Sequence, residues 1–513
     1  MQRHGGRRAW PYRARNSSTA QDQPREGGHV LIPFPLFEPD KPAWTVTAGD
    51  NLLNCLPVAG GWGGMPQFTV MSEALADDCK GLFYYQATDG TITVIAGTET
   101  DLYKLNTATS PYSWTNVSKS TGAYSVPADD VWSFTVFGDY LIAHTLGDPP
   151  QFLSLSSGTN FADLAGSPPV AKYSTVVGDF LMFGYLDGEP NAVQWSGINN
   201  AEFWTIGLRS AGKQAFPEGG QVQAIVRDGR GAIIVQRDGM QVMTFAPSSG
   251  YTFTFSNANP ARGTIAPHSL VEIGPRRFPY LSEDGFFMGV EGQPIGAERV
   301  DRWFLDTINL DTLPQVEGFA DPYNKIVWWK FETADGGNKL LGYDWQLDRW
   351  CYSDQDFQAA AAIATPGISW DGLDDLYATI DDVDLPFDSR VFAGGRPVFA
   401  IIDTDGKLAF MASTNKAATL ETAEVALVPG HRSHVHSGFV TTDCTNYTVT
   451  VSAAAFHGGT FTSKSAVSPS SRSGRLPLRA NGQLHKFKVE IPAGESWSHV
   501  IGLDVEFAKG GTA

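Results

Sequence analysis

Short apolar runs launched from tight turns recur along this chain at a nearly constant interval. Such points stand at Gly90, Asp139, Asp179, Gly229, Gly274, Asn324 and Gly372, so successive spacings are 49, 40, 50, 45, 50 and 48 residues. Asp139-Tyr-Leu-Ile and Asp179-Phe-Leu-Met each follow a glycine and open an apolar strand. Gly231-Ala-Ile-Ile-Val and Lys325-Ile-Val-Trp-Trp read as strands buried on both faces, and Tyr251-Thr-Phe-Thr-Phe alternates at period two. A unit of this length with two apolar faces is not stable alone. It must stack on copies of itself and close, which is the logic of a β-propeller. Six or seven blades fit residues 80–415. The Gly-His…Trp-Asp pattern of WD40 repeats is absent, and a row of β-sandwiches would give similar strands, so that fold stays the alternative.

Composition supports an all-β reading. Gly is 54 of 513 residues and aromatics are 12%, which suits short strands with tight turns. Lys486-Phe-Lys-Val-Glu-Ile and Leu503-Asp-Val-Glu-Phe alternate polar and apolar, as the strands of a sandwich do. The expected organisation is a basic arm over 1–29 and an N-terminal extension with a blade-closing segment over 30–79. The propeller follows over 80–415 and a C-terminal β-sandwich over 420–513. The formal charge of −18 argues against general binding to DNA or anionic membranes. No apolar run approaches a membrane span, so stable membrane insertion is not expected. Residues 1–29 hold no Leu, Ile, Val or Phe, hence no signal-peptide core. Cys55, Cys79, Cys351 and Cys444 lack CxxC spacing, so reduced thiols are expected and neither a zinc site nor a disulfide framework is.

Four features are candidate sites. The arm carries Arg3, Arg7, Arg8, Arg13, Arg15 and Arg25 against Asp22 and Glu26, a formal +4 (6 − 2), leaving −22 for the rest (−18 − 4). It buries too little apolar area to fold alone. It is a solvated tail or a misassigned start, or it docks on a neighbouring subunit through arginine forks with Trp10 as anchor, or it touches nucleic acid. The second is the stretch with Asp371, Asp374, Asp375, Asp381, Asp382, Asp384 and Asp388. It reads as a turn-forming loop, a subunit contact, or a Ca²⁺ site without EF-hand spacing. Third, His434 and His436 stand two apart on one strand, a possible metal pair with no companion ligand nearby, or plain surface histidines. Fourth, Trp328, Trp329, Trp345 and Trp350 are either blade core or a sugar-stacking platform. Trp497, between two alternating strands, reads as the plug of the sandwich core. The serine-rich segment 463–473 reads as a flexible or contacting loop. GxSxG, HExxH and P-loop motifs are absent, and no cofactor is expected.

Several landmarks occur in order. They are Asn54-Cys-Leu-Pro-Val-Ala-Gly-Gly-Trp, Trp132-Ser-Phe-Thr-Val-Phe-Gly-Asp-Tyr-Leu-Ile-Ala, Val193-Gln-Trp-Ser-Gly-Ile-Asn and Asp284-Gly-Phe-Phe. Then come Pro294-Ile-Gly-Ala-Glu-Arg-Val-Asp, Asp321-Pro-Tyr-Asn-Lys-Ile-Val-Trp-Trp and Tyr343-Asp-Trp-Gln-Leu-Asp-Arg-Trp, with Ile491-Pro-Ala-Gly-Glu-Ser-Trp near the end. Together they make the chain resemble the tail hub or nozzle β-propeller proteins of short-tailed phages (podoviruses), a group related to the packaged-DNA stabilisation and tail tubular proteins. The resemblance implies a non-enzymatic virion protein, assembled in the host cytoplasm and present as a homo-hexamer around the tail axis. Its partners would be the portal or adaptor and a fibre or spike, with viral double-stranded DNA passing through without specific binding. The basic arm departs from that pattern. A glycan-binding or glycan-cleaving propeller is the alternative function.

Overall fold

The computed structural model describes residues 27–45, 47–109, 111–259, 261–364 and 397–512. Its propeller has seven blades. Blade 1 is Gly81–Gln86, Ile92–Gly97, Leu102–Asn106 and Ser113–Asn116. Blade 2 spans Ser133–Phe137 to Ala162–Asp163, blade 3 Ala171–Val177 to Gly212–Ala215, and blade 4 Val222–Asp228 to Phe253–Asn259, each a four-stranded antiparallel sheet in chain order. Blade 5 has three regular strands, Pro279–Ser282, Gly285–Met288 and Gln293–Pro294. Its inner position is filled by residues 271–273, whose amides at Val271 and Ile273 donate to the carbonyls of Pro279 and Arg277. Blade 6 runs from Glu317–Asp321 to Arg349–Ser353, and blade 7 begins with Ala359–Ile363, Val398–Ile402 and Lys407–Asn415.

Six of the seven turn points lie in the hairpin between the first two strands of successive blades, Gly90 in blade 1 through Asn324 in blade 6. The seventh, Gly372, is outside the described residues and falls in sequence between the first two strands of blade 7. The interval of 40–50 residues is therefore the length of one blade.

Blade strands are apolar at consecutive positions because both faces meet a neighbouring blade. Leu141 packs in the seam between blades 1 and 2, while the next residue, Ile142, packs between blades 2 and 3. Ile234 joins blade 3 to blade 4, and Ile233 joins blade 4 to blade 5. Successive side chains of a strand point to opposite faces, so a strand buried twice loses its polar alternation. Each such isoleucine or leucine contributes roughly 1.5–3 kcal/mol by leaving water.

The ring closes with a strand from far upstream. Pro66–Ala74 is the outer strand of blade 7, antiparallel to Lys407–Asn415, with Phe410 opposite Thr69. The Leu408 amide donates to Ser72 Oγ at 2.8 Å, sealing the ladder where its register shifts.

The sandwich is made from both ends of the described chain. One sheet holds His431–Thr442, Ala480–Gly482 and Val500–Thr512 together with Gly27–Pro33, Cys55–Val58 and Gly61–Gly64. The other continues blade 6 outward: Arg349–Ser353 is followed by Leu52–Leu53, Ala418–Glu421, Leu484–Ile491, Thr448–Ala454 and Thr462–Ser463, a nine-stranded sheet. The expectation that the sandwich comes from residues 420–513 thus lacked the strands at 27–64. Cys55, Leu56 and Trp62 are buried in the shared core, which is why those strands cannot stand apart. Trp497 is buried in that core as expected. Among the described residues no helix is long and apolar enough to cross a membrane.

Candidate functional site

Two places collect polar side chains in ways that a repeat alone does not require. The first is the end of the propeller axis opposite the six described first-hairpin turns. The inner strands of blades 1, 6 and 7 begin there, and the short 3-10 turn Pro267–Ser269 precedes blade 5. They leave a cavity of about 310 Å³. Lys80 Nζ donates to the Pro127 carbonyl at 2.8 Å, and Lys330 Nζ donates to Gln358 O at 2.7 Å and stands 3.4 Å from Glu317. Asp130 is buried; it accepts from Thr145 Oγ1 at 2.7 Å and the Leu146 amide at 3.0 Å, and faces Lys172 at 3.6 Å.

His268 and Tyr173 meet at this end with ring centroids 5.9 Å apart. His268 Nε2 and the Tyr173 hydroxyl are sealed from solvent and have no hydrogen-bond partner among the described residues. Burial is the main reason that the His268 imidazole sits below its ordinary pKa; Lys172 adds to it, and Glu317 and Asp130 oppose it. Cys79 lines the same cavity, but burial pushes its thiol up to about 12 and it donates to Gly81 O at 3.3 Å. A thiol held neutral in this way is not a nucleophile at neutral pH. Each lysine here already serves a carbonyl or a carboxylate, so the groups read as the polar stitching of inner strands.

The second place is the joint between blade 6 and the sandwich. Asn54 is buried with φ of 56°, in the left-handed region. Its amide donates to Tyr352 O at 2.9 Å, its Nδ2 to Ala417 O at 2.9 Å, and its Oδ1 accepts from Ser353 Oγ at 2.8 Å. Asparagine tolerates that backbone and supplies both donor and acceptor. Arg299 ties three segments: its Nε donates to Glu38 at 3.2 Å, one Nη to Asp348 Oδ1 at 2.9 Å, and the other Nη to the Asp348 carbonyl. Tyr343 donates to the same Asp348 carboxylate at 2.8 Å, and burial followed by that carboxylate raises its pKa. Trp350 Nε1 reaches Ile295 O at 3.1 Å and Trp62 Nε1 reaches Pro35 O at 2.9 Å. Asp321 and Asp344 cap the first and third hairpin turns of blade 6 by accepting from backbone amides two and three residues on.

The sequence candidates fare differently. Arg7, Arg8, Trp10, Arg13 and Arg15 lie outside the described residues, and so do Asp371, Asp374, Asp375, Asp381, Asp382 and Asp384. Trp328, Trp329 and Trp350 are fully buried and Trp345 packs on the same core, so blade packing accounts for all four. His434 and His436 do come together, with centroids 4.7 Å apart, where a bulge sets His436 outside the register with Val500–Thr512. Among the described residues no group of three or more His, Cys, Asp or Glu is placed to hold a metal ion. All four cysteines are free and buried. The serine-rich segment is tied down: Lys464 and Val467 amides donate to Val451 and Val449 carbonyls, and Arg475 pairs with Glu506. Glu38 carried no signal in the sequence, and Asn54 and Arg299 stood among the landmarks without their joining role, because Asn54 meets Ala417 and Ser353, and Arg299 meets Glu38, across hundreds of positions.

No protein-family model matches the chain, and no curated protein matches it. Among solved structures, the chain is similar to the β-propeller domain of Cps50 (Swd1) from Myceliophteria thermophila, at 8% identity and a TM-score of 0.36, over 67% of this chain and 99% of that one. It is similar to a chain of the mitotic checkpoint complex at 11% identity and 0.36, over 69% and 97%. It is also similar to BamB from Moraxella catarrhalis at 12% identity and 0.34, over 70% and 93%.

Proposed function

We propose that this chain is a non-enzymatic architectural component of a short phage tail, a hub or nozzle subunit of the ring through which DNA leaves. One observation carries the reading. Four of the eight landmarks of the resemblance reach the joint: Asn54, Trp62, Ile295, Arg299, Trp329, Tyr343 and Trp350 build the seam between blades 5 and 6 and the sandwich. What the resemblance carries is thus a way of fixing a propeller to a sandwich. A rigid two-part body suits a ring subunit, whose opposite surfaces must meet its two neighbours at fixed angles.

The charge fits the same role. Outside the arm the chain carries −22 (−18 − 4). A conduit lined by carboxylates repels phosphates and does not grip a sliding duplex, whereas each Lys or Arg contact would add affinity that must be undone at ejection. The duplex would run through the lumen of a ring of copies. Within a single propeller the inner strand of blade 3 and the turn before blade 5 already meet, with the Tyr173 and His268 rings 5.9 Å apart. The resemblance implies six copies.

Projection images of the purified full chain, alone and with tail partners, test the reading. Rings of six subunits coaxial with a portal are expected. A chain that stays apart from tails and cleaves a polysaccharide at enzymatic rates would instead support the glycan-active propeller.

A further inference from the structure

Beside the helix Asp301–Thr307 runs a groove of about 850 Å³. Its lining includes the apolar side chains of Pro42, Ala297 and Leu305, and Trp44, two residues beyond Pro42, is 71% exposed. Its lining carries six carboxylates, Asp40, Glu283, Asp284, Glu298, Asp306 and the buried Asp301, against Lys41 and Arg302, a net −4 (2 − 6). Both cations are engaged: Lys41 on Glu38 at 2.6 Å and Arg302 on Asp306 at 3.7 Å. Arg262 answers Asp284 at 2.6 Å. No ion pair among the described residues answers Glu283 or Glu298.

The same chain carries a segment with the complementary properties. Residues 1–26 hold six arginines against two acids, a net +4 (6 − 2), with Trp10 and Tyr12 set between the arginines. We propose that this arm docks in its own chain's groove, with arginines on the carboxylates and Trp10 and Tyr12 on the apolar lining. Charge alone would attract any cation; the apolar lining selects a segment that alternates arginine with aromatics.

Reach permits docking within one chain. Gly27 and Asp40 are 13 residues apart, so they cannot be separated by more than about 45 Å at ~3.4 Å per residue. Trp10 precedes Gly27 by 17 residues, a contour of about 58 Å, which exceeds that bound whatever path the chain takes. A tethered segment acts at an effective concentration on the order of mM, well above that of another copy's arm in dilute solution. The inference goes beyond the tail reading and does not depend on it.

The test is cleavage of the full chain by an arginine-specific protease, following cuts after Arg7, Arg8, Arg13 and Arg15 by mass spectrometry. In the native chain these cuts should be slow at low salt, faster at high salt, and independent of protein concentration. Glu283→Lys combined with Glu298→Lys should speed them about tenfold without lowering the thermal midpoint, and Trp10→Ala should speed them less. The reversal Asp89→Lys, in the exposed first hairpin of blade 1 and outside the groove's lining, should change nothing. Equal cleavage rates in the native chain and the double variant would overturn the proposal. Protection that grows with protein concentration would overturn it too, by assigning the groove to another copy's arm.

Discussion

In blades 2, 3 and 4 every strand pairs with its neighbour in the chain, with Phe137 opposite Tyr140 and Asp228 opposite Gly231. At the joint the partners are remote: Tyr352 pairs with Leu53, and Leu420 with Leu52. Both regions are built of the same apolar strands, yet only the first is local. Loop-closure entropy opposes remote pairing until the contacts it brings together offset it. The joint accordingly gathers what local hairpins do without: a left-handed Asn54, the Arg299 fork and a cluster of buried indoles.

The largest expected effect breaks the joint. Trp329 is fully buried, packs against Phe286 and Trp350, and donates to Ser269 O at 2.8 Å. Trp329→Ala should cost about 3–5 kcal/mol in chemical denaturation. Ile234→Ala, in the seam of blades 3 and 4, should cost about 2–5 kcal/mol. If both variants lose stability in one transition, propeller and sandwich unfold together. Two transitions, with only one moved by each variant, would show that the continuous sheet does not couple them.

Acid sharpens the comparison next. His144 lies between blades 2 and 3, against Phe183, and His485 lies in the sandwich with its Nε2 on Ser433 Oγ at 2.9 Å. Burial lowers each imidazole pKa to about 4. Between pH 6.5 and about 4 the unfolded chain therefore binds protons that the folded chain refuses. Stability is complete above that window and falls as pH drops through it, by roughly 3 kcal/mol for each histidine. Asp301 works in the opposite sense. Burial, with Asp40 and Asp284, raises its carboxyl to about 6, so its stabilising share is present at low pH and fades as pH rises through 6. Denaturation midpoints against pH should flatten in His144→Gln and His485→Gln and steepen in Asp301→Asn. Equal flattening in the two histidine variants would mean that the blade seam and the sandwich exclude water equally well.

Much of this fold was legible because a blade is a local object. Turn, apolar strand and interval stand together within 50 residues, and the interval fell on one hairpin per blade. The sandwich's upstream strands were less legible, since a four-residue run such as Cys55–Val58 carries no mark of its partner. Blade 5 had a turn signal at Gly274 but only three regular strands. The groove beside Asp301–Thr307 was invisible, because its carboxylates come from positions 40, 283–284 and 298–306. The histidine pair was half legible: period two placed His434 and His436 side by side, and the bulge between Val435 and Ser437 was not foreseen.

Smaller effects follow at single points. Asn54→Ala removes three side-chain hydrogen bonds and leaves alanine in the left-handed region, an expected loss of about 2–3 kcal/mol, read as a lower thermal midpoint. Asn54→Gly relieves the backbone and should recover about 1 kcal/mol of that. Trp44→Ala should shift stability by less than about 0.5 kcal/mol, since its ring is largely in water.

The central claim is that the chain belongs to the conduit through which a short tail delivers DNA. Particles assembled without it test this most directly, with packaged DNA, tail structure and infectivity measured together. The account predicts heads that fill and then leak, or heads that retain DNA they cannot eject. Normal tails and normal infectivity in those particles would contradict it.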